Sequence, residues 1–189
     1  MTTLARFSLD HYEHMVAVGI FSGQFEKNVE LLRGEIATMI PIGPPHGDIQ
    51  TLLLDWSIDV VPRSSIAIRE QLPIRIPVSD SEPQPDLVWA VRRRYSQRHP
   101  EPHEVLLLVE VAESSLSIDR GVKLGIYAEA GIADYWIVNL IDQQIEVYRN
   151  PAGREYLDMT IVRGDSSVSP LAIPEATLQS SWLFGEDLP

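Results

Sequence analysis

The sequence predicts an α/β or mixed α+β fold, a central mixed sheet with flanking helices, and three observations carry that reading. Val105-Leu106-Leu107-Leu108-Val109-Glu110-Val111 is an apolar run of the kind that forms a strand buried on both faces. A helix-like segment follows from about Ser117 to Ala130, closed by Gly131 as a C′ residue. Asp134-Tyr135-Trp136-Ile137-Val138-Asn139 then reads as a second strand. Strand, helix, strand around a sheet is the signature of helices packed on sheet faces. If this helix joins parallel strands, the crossover is expected to be right-handed, with the first strand central. Glu110 then projects near that strand's C-terminal end, where open α/β sheets place ligands.

The other elements follow in chain order. Ser8 precedes Leu9-Asp10-His11-Tyr12-Glu13-His14-Met15-Val16 as an N-cap before a short helix. Asn28–Leu32 and Glu35–Ile40 flank Arg33-Gly34, a hairpin turn. Pro41 to Gly47 is a breaker loop, after which Ile49, Leu52, Leu53 and Trp56 recur at helical spacing. Ile66–Gln71 and Leu72–Ile76 are strand material interrupted by proline, which places them near a sheet edge. Ser79 to Pro85 forms a polar turn leading into Asp86 and the strand-like Leu87-Val88-Trp89. Val91 to Pro102 is a loop carrying Arg92, Arg93, Arg94 and Arg98. Gln144–Arg149 is a further strand, and one or two late strands end near Trp182. With no repeat and no linker composition, residues 1–189 read as one domain, its core spanning about 25–150. The N-terminal helix and the C-terminal strands are additions to that core.

Composition narrows the chemistry. The chain has 44% hydrophobic and 22% charged residues, the proportions of a soluble globular protein. There is no cysteine, which excludes disulfide and thiolate chemistry and suits the cytoplasm. The first residues lead into no apolar run of signal-peptide type, and no stretch is long enough for a membrane span. The net charge of −12, from 27 acids and 15 bases, opposes a broad polyanion-binding surface.

Within these bounds the informative residues are acids in unfavourable places. An ionised carboxylate in an apolar strand is costly unless something compensates it, so Glu110 needs a partner. A cation is one partner; a salt bridge to Lys123 or an arginine is another. Asp86 follows Pro85 at the head of a strand, which suits either a turn cap or a metal ligand. Asp119, Lys123 and Tyr127 recur at i, i+4 and i+8 and therefore share one helix face. Two acids on neighbouring strands and a lysine on the next helix suit phosphodiester hydrolysis with Mg²⁺ or Mn²⁺. The Val111 carbonyl is a further candidate ligand, and Lys123 is placed to stabilise charge on the phosphate. His11 and His14 are three positions apart, not the four of a zinc-binding H-E-x-x-H face. His99, His103 and Glu104 form a weaker metal grouping in a proline-bearing loop. Ser114-Ser115 lacks the glycine pattern of a nucleophile elbow, and no phosphate-binding glycine loop is present.

The order of these motifs resembles the Uma-two family of restriction-endonuclease-like proteins, within the PD-(D/E)-x-K nuclease superfamily. The resemblance rests on Glu30-Leu31-Leu32-Arg33-Gly34-Glu35, Pro41 through His46, Pro83-Gln84-Pro85-Asp86 and Leu108-Val109-Glu110-Val111-Ala112. It continues through Ser114-Ser115, Asp119-Arg120-Gly121-Val122-Lys123, Tyr127 and Gly131 to Val138, and spans about residues 8 to 180. It implies a restriction-endonuclease-like core with Asp86 and Glu110 as metal-binding acids. In the simplest superfamily pattern a lysine stands two residues after the second acid; here that position is Ala112. The resemblance transfers the role to Lys123 on the following helix. Glu35 and His46 also match family positions and are expected to border the site.

Two functions follow as expectations. One is a metal-dependent endonuclease acting on DNA, with the arginines at 92–94, Arg98 and Arg120 forming a local basic rim. The other is a catalytically inactive nuclease fold used for binding or assembly. In either case exposed strands and the tail with Trp182 and Phe184 are expected to support a homodimer.

Overall fold

A computed structural model describes residues 5–22, 29–39 and 41–185. Six strands form one sheet in the order β3-β4-β5-β6-β7-β8. They are β3 (Ile66–Glu70), β4 (Leu87–Val91), β5 (Val105–Ala112), β6 (Asp134–Asn139), β7 (Gln144–Ala152) and β8 (Glu155–Val162). Only β5 and β6 pair in parallel; their neighbours run antiparallel. The apolar run around Glu110 thus becomes an inner strand, and proline-flanked β3 becomes an edge, as the sequence predicts.

Alternation divides the core between the two faces of this sheet. Leu107, Val109 and Val111 face one cluster with Trp89, Trp136 and helix α2 (Pro44–Val60). That helix begins one turn earlier than its apolar spacing suggests, because Gly43 caps it and prolines occupy its first positions. Ile49, Leu53 and Trp56 form its buried stripe, and Trp56 stacks on Trp89 with ring centroids 5.1 Å apart. Leu108 and Ala112 face the second cluster with Ile126, Tyr127, Tyr135 and Ile137. The α2-side cluster also takes in the tail: α5 (Ser180–Phe184) lays Trp182 and Phe184 against it. Both aromatics are partly buried there.

The crossover between β5 and β6 changes its winding as it runs. A short α3 (Leu116–Ile118) passes into a π-helical turn, Asp119–Lys123, and then into α4 (Leu124–Glu129). The backbone N–H of Leu124 bonds the Asp119 carbonyl, and the Tyr135 hydroxyl donates to the same carbonyl at 3.1 Å. Single π turns of this kind concentrate at functional sites. Gly131 ends the helix at φ +76°, in the left-handed region a C′ glycine adopts freely.

The hairpin β1 (Val29–Leu32) and β2 (Glu35–Thr38) forms around Arg33-Gly34, both at positive φ. A Cβ on Gly34 would lie 2.8 Å from the Phe7 carbonyl oxygen, so the turn also depends on the missing side chain. Asn28 and Ile40, included in the predicted hairpin, lie outside the described residues. The Leu72–Ile76 stretch does not form the predicted strand. Pro73 removes a ladder donor, and the segment keeps only a bridge between Ile76 and Ser81 while burying Ile74 and Ile76. At the N-terminus α1 (Leu9–Ala17) starts at Ser8, whose Oγ accepts the His11 N–H at 3.3 Å. Late strands β9 (Ser167–Val168) and β10 (Leu178–Gln179) pair as a small ribbon before α5.

Candidate active site

Strand β4 starts later than its neighbour. Its ladder with β5 begins at the pair Leu87–Val109, so past that pair the end of β5 is paired with β6 but has no strand on its β4 side. Asp86 fills the gap: its Oδ2 accepts the Val111 N–H at 2.8 Å. Its Oδ1 meets His46 Nε2 at 3.0 Å, in the first turn of α2. Because the N–H and C=O of one strand residue point to the same side, the Val111 carbonyl also faces this edge.

Glu110 points to the opposite face from Val111, beneath the crossover helix. Only 3% of it is exposed. Its Oε1 accepts from Lys123 Nζ at 3.1 Å and from the Tyr127 hydroxyl at 2.7 Å. Lys123 also lies 3.3 Å from Glu30 Oε2 and 3.9 Å from Asp119 Oδ1. Glu30 comes from the hairpin and is fixed by the Gln84 N–H at 3.1 Å. Asp119 accepts from the Ser115 hydroxyl at 2.6 Å through Oδ2, while its buried Oδ1 has no hydrogen-bond donor.

The carboxyls of Glu30, Glu110 and Asp119 thus stand 3.1–3.9 Å from the Lys123 ammonium, and the charge of Asp86 also acts on it. Burial lowers the proton affinity of Lys123, but the four carboxylates outweigh it and keep the amine firmly protonated. Burial drives Glu110 well above the usual carboxylate range; Lys123 pulls it back, and Asp119, Asp86 and Glu30 push it further up. Asp119 rises to about 6, again mainly through burial. One lysine leaves the acids undercompensated, so the cluster favours an added proton or an added cation. The site opens into a cleft of about 880 Å³ that reaches solvent.

The cleft gathers Asp86, Glu110, Val111, Lys123 and His46, five of the six residues singled out in the sequence. Glu35 is not among them. It lies exposed beside the hairpin turn and pairs with Arg6 at 3.1 Å. The register puts both acids on one hairpin face, Glu35 opposite Leu32 and Glu30 opposite Ala37, so position along the hairpin separates them: Glu30, 5% exposed, is the one that reaches Lys123. Glu30 shows the same sequence signal as Glu110, an acid within an apolar strand run. Asp119 and Tyr127 were visible in the helical series with Lys123, yet their contacts with the acids depend on the π turn.

The arginines of the expected basic rim do not line the cleft. Arg93 and Arg98 both bind Glu104, a buried acid at the head of β5, and Arg120 binds Glu146 on β7. The Arg98 bond first, aided by Arg93 and a backbone donor against the opposing effect of burial, holds the Glu104 carboxyl down to about 2. Glu104 is thus saturated by arginine, which removes it from any metal grouping with His99 and His103. No helix among the described residues is long and apolar enough to cross a membrane.

Among the described residues no three histidine, cysteine or acid side chains stand together as a ready-made metal cage. Mg²⁺ does not require one, since it binds through one or two carboxylates plus waters and substrate oxygens. The Asp86–Glu110 pair, the orphaned Asp119 oxygen and the excess of acid charge fit such an ion.

The fold and the sequence each have a known counterpart. A crystal structure from Anabaena variabilis ATCC 29413, described as a "putative nuclease belonging to DUF820", superposes with a TM-score of 0.74 at 17% identity, covering 94% of this chain and 97% of that one. At that identity the likeness concerns the fold. No curated protein matches the chain. The Uma2 family, described as "Putative restriction endonuclease", matches residues 12–181, which include the hairpin, Asp86, Glu110 and the crossover helix. Nearly the whole chain falls within that match, and the chain therefore belongs to the Uma2 family.

Proposed function

We propose that the protein is a divalent-metal-dependent endonuclease that hydrolyses DNA phosphodiester bonds in the cleft of Asp86, Glu110 and Lys123. The observation that carries this reading is one lysine held among the carboxyls of Glu30, Glu110 and Asp119 in an open cleft that Asp86 also lines. Asp86 and Glu110 are the residues to hold Mg²⁺ or Mn²⁺, with the Val111 carbonyl beside them. Such an ion, when bound, supplies Lewis-acid charge to the phosphate and favours deprotonation of water. His46 fixes the Asp86 carboxylate through the 3.0 Å bond, as outer partners orient metal ligands. Lys123 is held within reach of the acids as a fixed positive charge, suited to stabilising negative charge that grows on a phosphate oxygen. The same reading places the protein in the cytoplasm and expects it to act as a homodimer.

A second reading has its own support. Lys123 and Tyr127 already satisfy one oxygen of Glu110, and a buried ion pair of this kind serves a fold without turnover. Titration of the protein with Mn²⁺, followed by incubation with plasmid and oligonucleotide DNA, separates the two. The nuclease reading expects binding heat and cleavage, both lost in Asp86→Ala and Glu110→Ala. Absence of Mn²⁺ heat in the wild type would favour the assembly module, and equal cleavage by wild type and variants would assign the activity elsewhere.

A further inference from the structure

Resting on the nuclease reading, we propose that the cleft accepts an unpaired DNA strand and rejects continuous duplex. The cleft has an acidic floor, two exposed acids near its mouth, Glu70 and Glu113, and an apolar margin. Lys123 is the one lysine or arginine among the described residues lining it. Ile42, Leu72 and Ile118 also line it, with 50%, 43% and 43% of their surfaces exposed. Large apolar side chains left in water at one opening mark a surface meant for a ligand.

Duplex DNA meets such an opening badly. Its outer surface is phosphate, one charge per ~1.7 Å of axis, and tight binding requires many of these to be neutralised. The arginines at 92–94, Arg98 and Arg120 do not line the cleft, and three of them are bound to Glu104 and Glu146. Phosphates from both strands would instead meet Glu70, Glu113 and an apolar margin. An unpaired strand has a different surface to offer. Its bases can turn outward and bury their faces against the apolar side chains, a contact that does not read sequence. The backbone can then bend inward so that one phosphate reaches Lys123 and the acid-held cation. With one protein cation in contact, the salt dependence should be shallow, a log–log slope of about −0.7 for a single strand.

The test uses a fluorescein-labelled 12-nucleotide strand, alone and annealed to its complement, with Mn²⁺ present, read by anisotropy and by gel. The expected result is at least tenfold tighter binding of the single strand, a slope near −1 or shallower, and preferential cleavage of that strand. Leu72→Ser with Ile118→Ser should reduce single-strand affinity at least fivefold and leave the Mn²⁺ heat intact. Equal or tighter duplex binding, binding of neither form, or an unchanged affinity in the double variant overturns the proposal. Single-strand preference without cleavage of either form upholds the substrate class and overturns the nuclease reading, so the two failures are distinguishable.

Discussion

Two buried glutamates stand in the same row of the sheet and live in opposite electrostatic worlds. Glu110 on β5 lies opposite Ile137 on β6, which lies opposite Glu146 on β7. All three side chains therefore project to one face, the acids two strand spacings or about 10 Å apart. Glu146 is fully buried and receives five hydrogen bonds: two from Arg120 and one each from Asn139, Gln144 and Tyr148. Burial alone would raise its carboxyl, yet these donors, Arg120 foremost, pull it down to about 2. Glu110 has a lysine, a tyrosine and three acid neighbours, and its carboxyl moves the other way. Burial is common to both, so the supply of donors distinguishes a structural carboxylate from one left wanting a cation.

The largest expected effect breaks that symmetry directly. Glu146→Gln exchanges a charged acceptor for an amide facing several donors, and should cost about 3 kcal/mol. In a domain of this size that corresponds to a melting-temperature loss of about 6–12 °C. Glu110→Gln removes one of four crowded acids, so in chelator its melting temperature should stay level or rise. Scanning calorimetry of both variants decides the matter, and equal losses would refute the contrast. Mn²⁺ binding should respond in the reverse order, lost in Glu110→Gln and kept in Glu146→Gln.

The sequence exposed one of these glutamates and hid the character of the other. Glu110 interrupts a run apolar on both faces, so its cost was legible without coordinates. Glu146 lies in an alternating strand, Gln144-Ile145-Glu146-Val147-Tyr148, where a polar residue facing water is the ordinary expectation. Its main charge partner is Arg120, which is 26 residues away in the crossover helix. The same distance in sequence concealed that none of the expected rim arginines lines the cleft and that Arg93, Arg98 and Arg120 are held by acids. The helix, the central strand and the Arg33-Gly34 turn were legible because each rests on local periodicity or backbone conformation. The choice between Glu30 and Glu35 was not, because both lie on one face of the hairpin and only its packing against the crossover helix decides which acid reaches Lys123.

A smaller effect appears as a pH dependence of opposite sign in the two regions. Asp119 titrates near 6 when folded against an ordinary value of 3.8, so the folded state holds a proton the unfolded chain releases. Its contribution is complete below about pH 4 and is lost as pH rises through 6, up to about 3 kcal/mol. Glu146, depressed to about 2, contributes above pH 4.5 and loses that contribution as the solution is acidified toward pH 2. In chelator, Asp119→Asn should flatten the decline in melting temperature between pH 4 and 7 while leaving the acid limb unchanged. Part of the decline should persist, because Glu82, raised to about 7 by burial and by Glu13, acts in the same direction. An unaltered profile in Asp119→Asn would remove this residue from the undercompensated cluster.

The finest contrast uses two tyrosines that perform the same chemistry on the two glutamates. Tyr127 donates to Glu110 Oε1 at 2.7 Å and Tyr148 donates to Glu146 Oε2 at 2.8 Å. Tyr127 shares its acceptor oxygen with Lys123, an arrangement that holds the carboxyl by one oxygen and leaves Oε2 for a ligand. Loss of the Tyr127 hydroxyl should therefore loosen Glu110 and weaken Mn²⁺ binding about tenfold, the scale seen for outer partners of metal ligands. Its effect on stability should be small, about 1 kcal/mol. Tyr148→Phe should cost a similar amount in stability with no change in Mn²⁺ affinity, because Glu146 retains Arg120, Asn139 and Gln144. Calorimetric titration of the two phenylalanine variants provides the comparison on matched chemistry. If both left Mn²⁺ affinity untouched, Tyr127 would be packing alone, and the orientation of Glu110 would rest on Lys123.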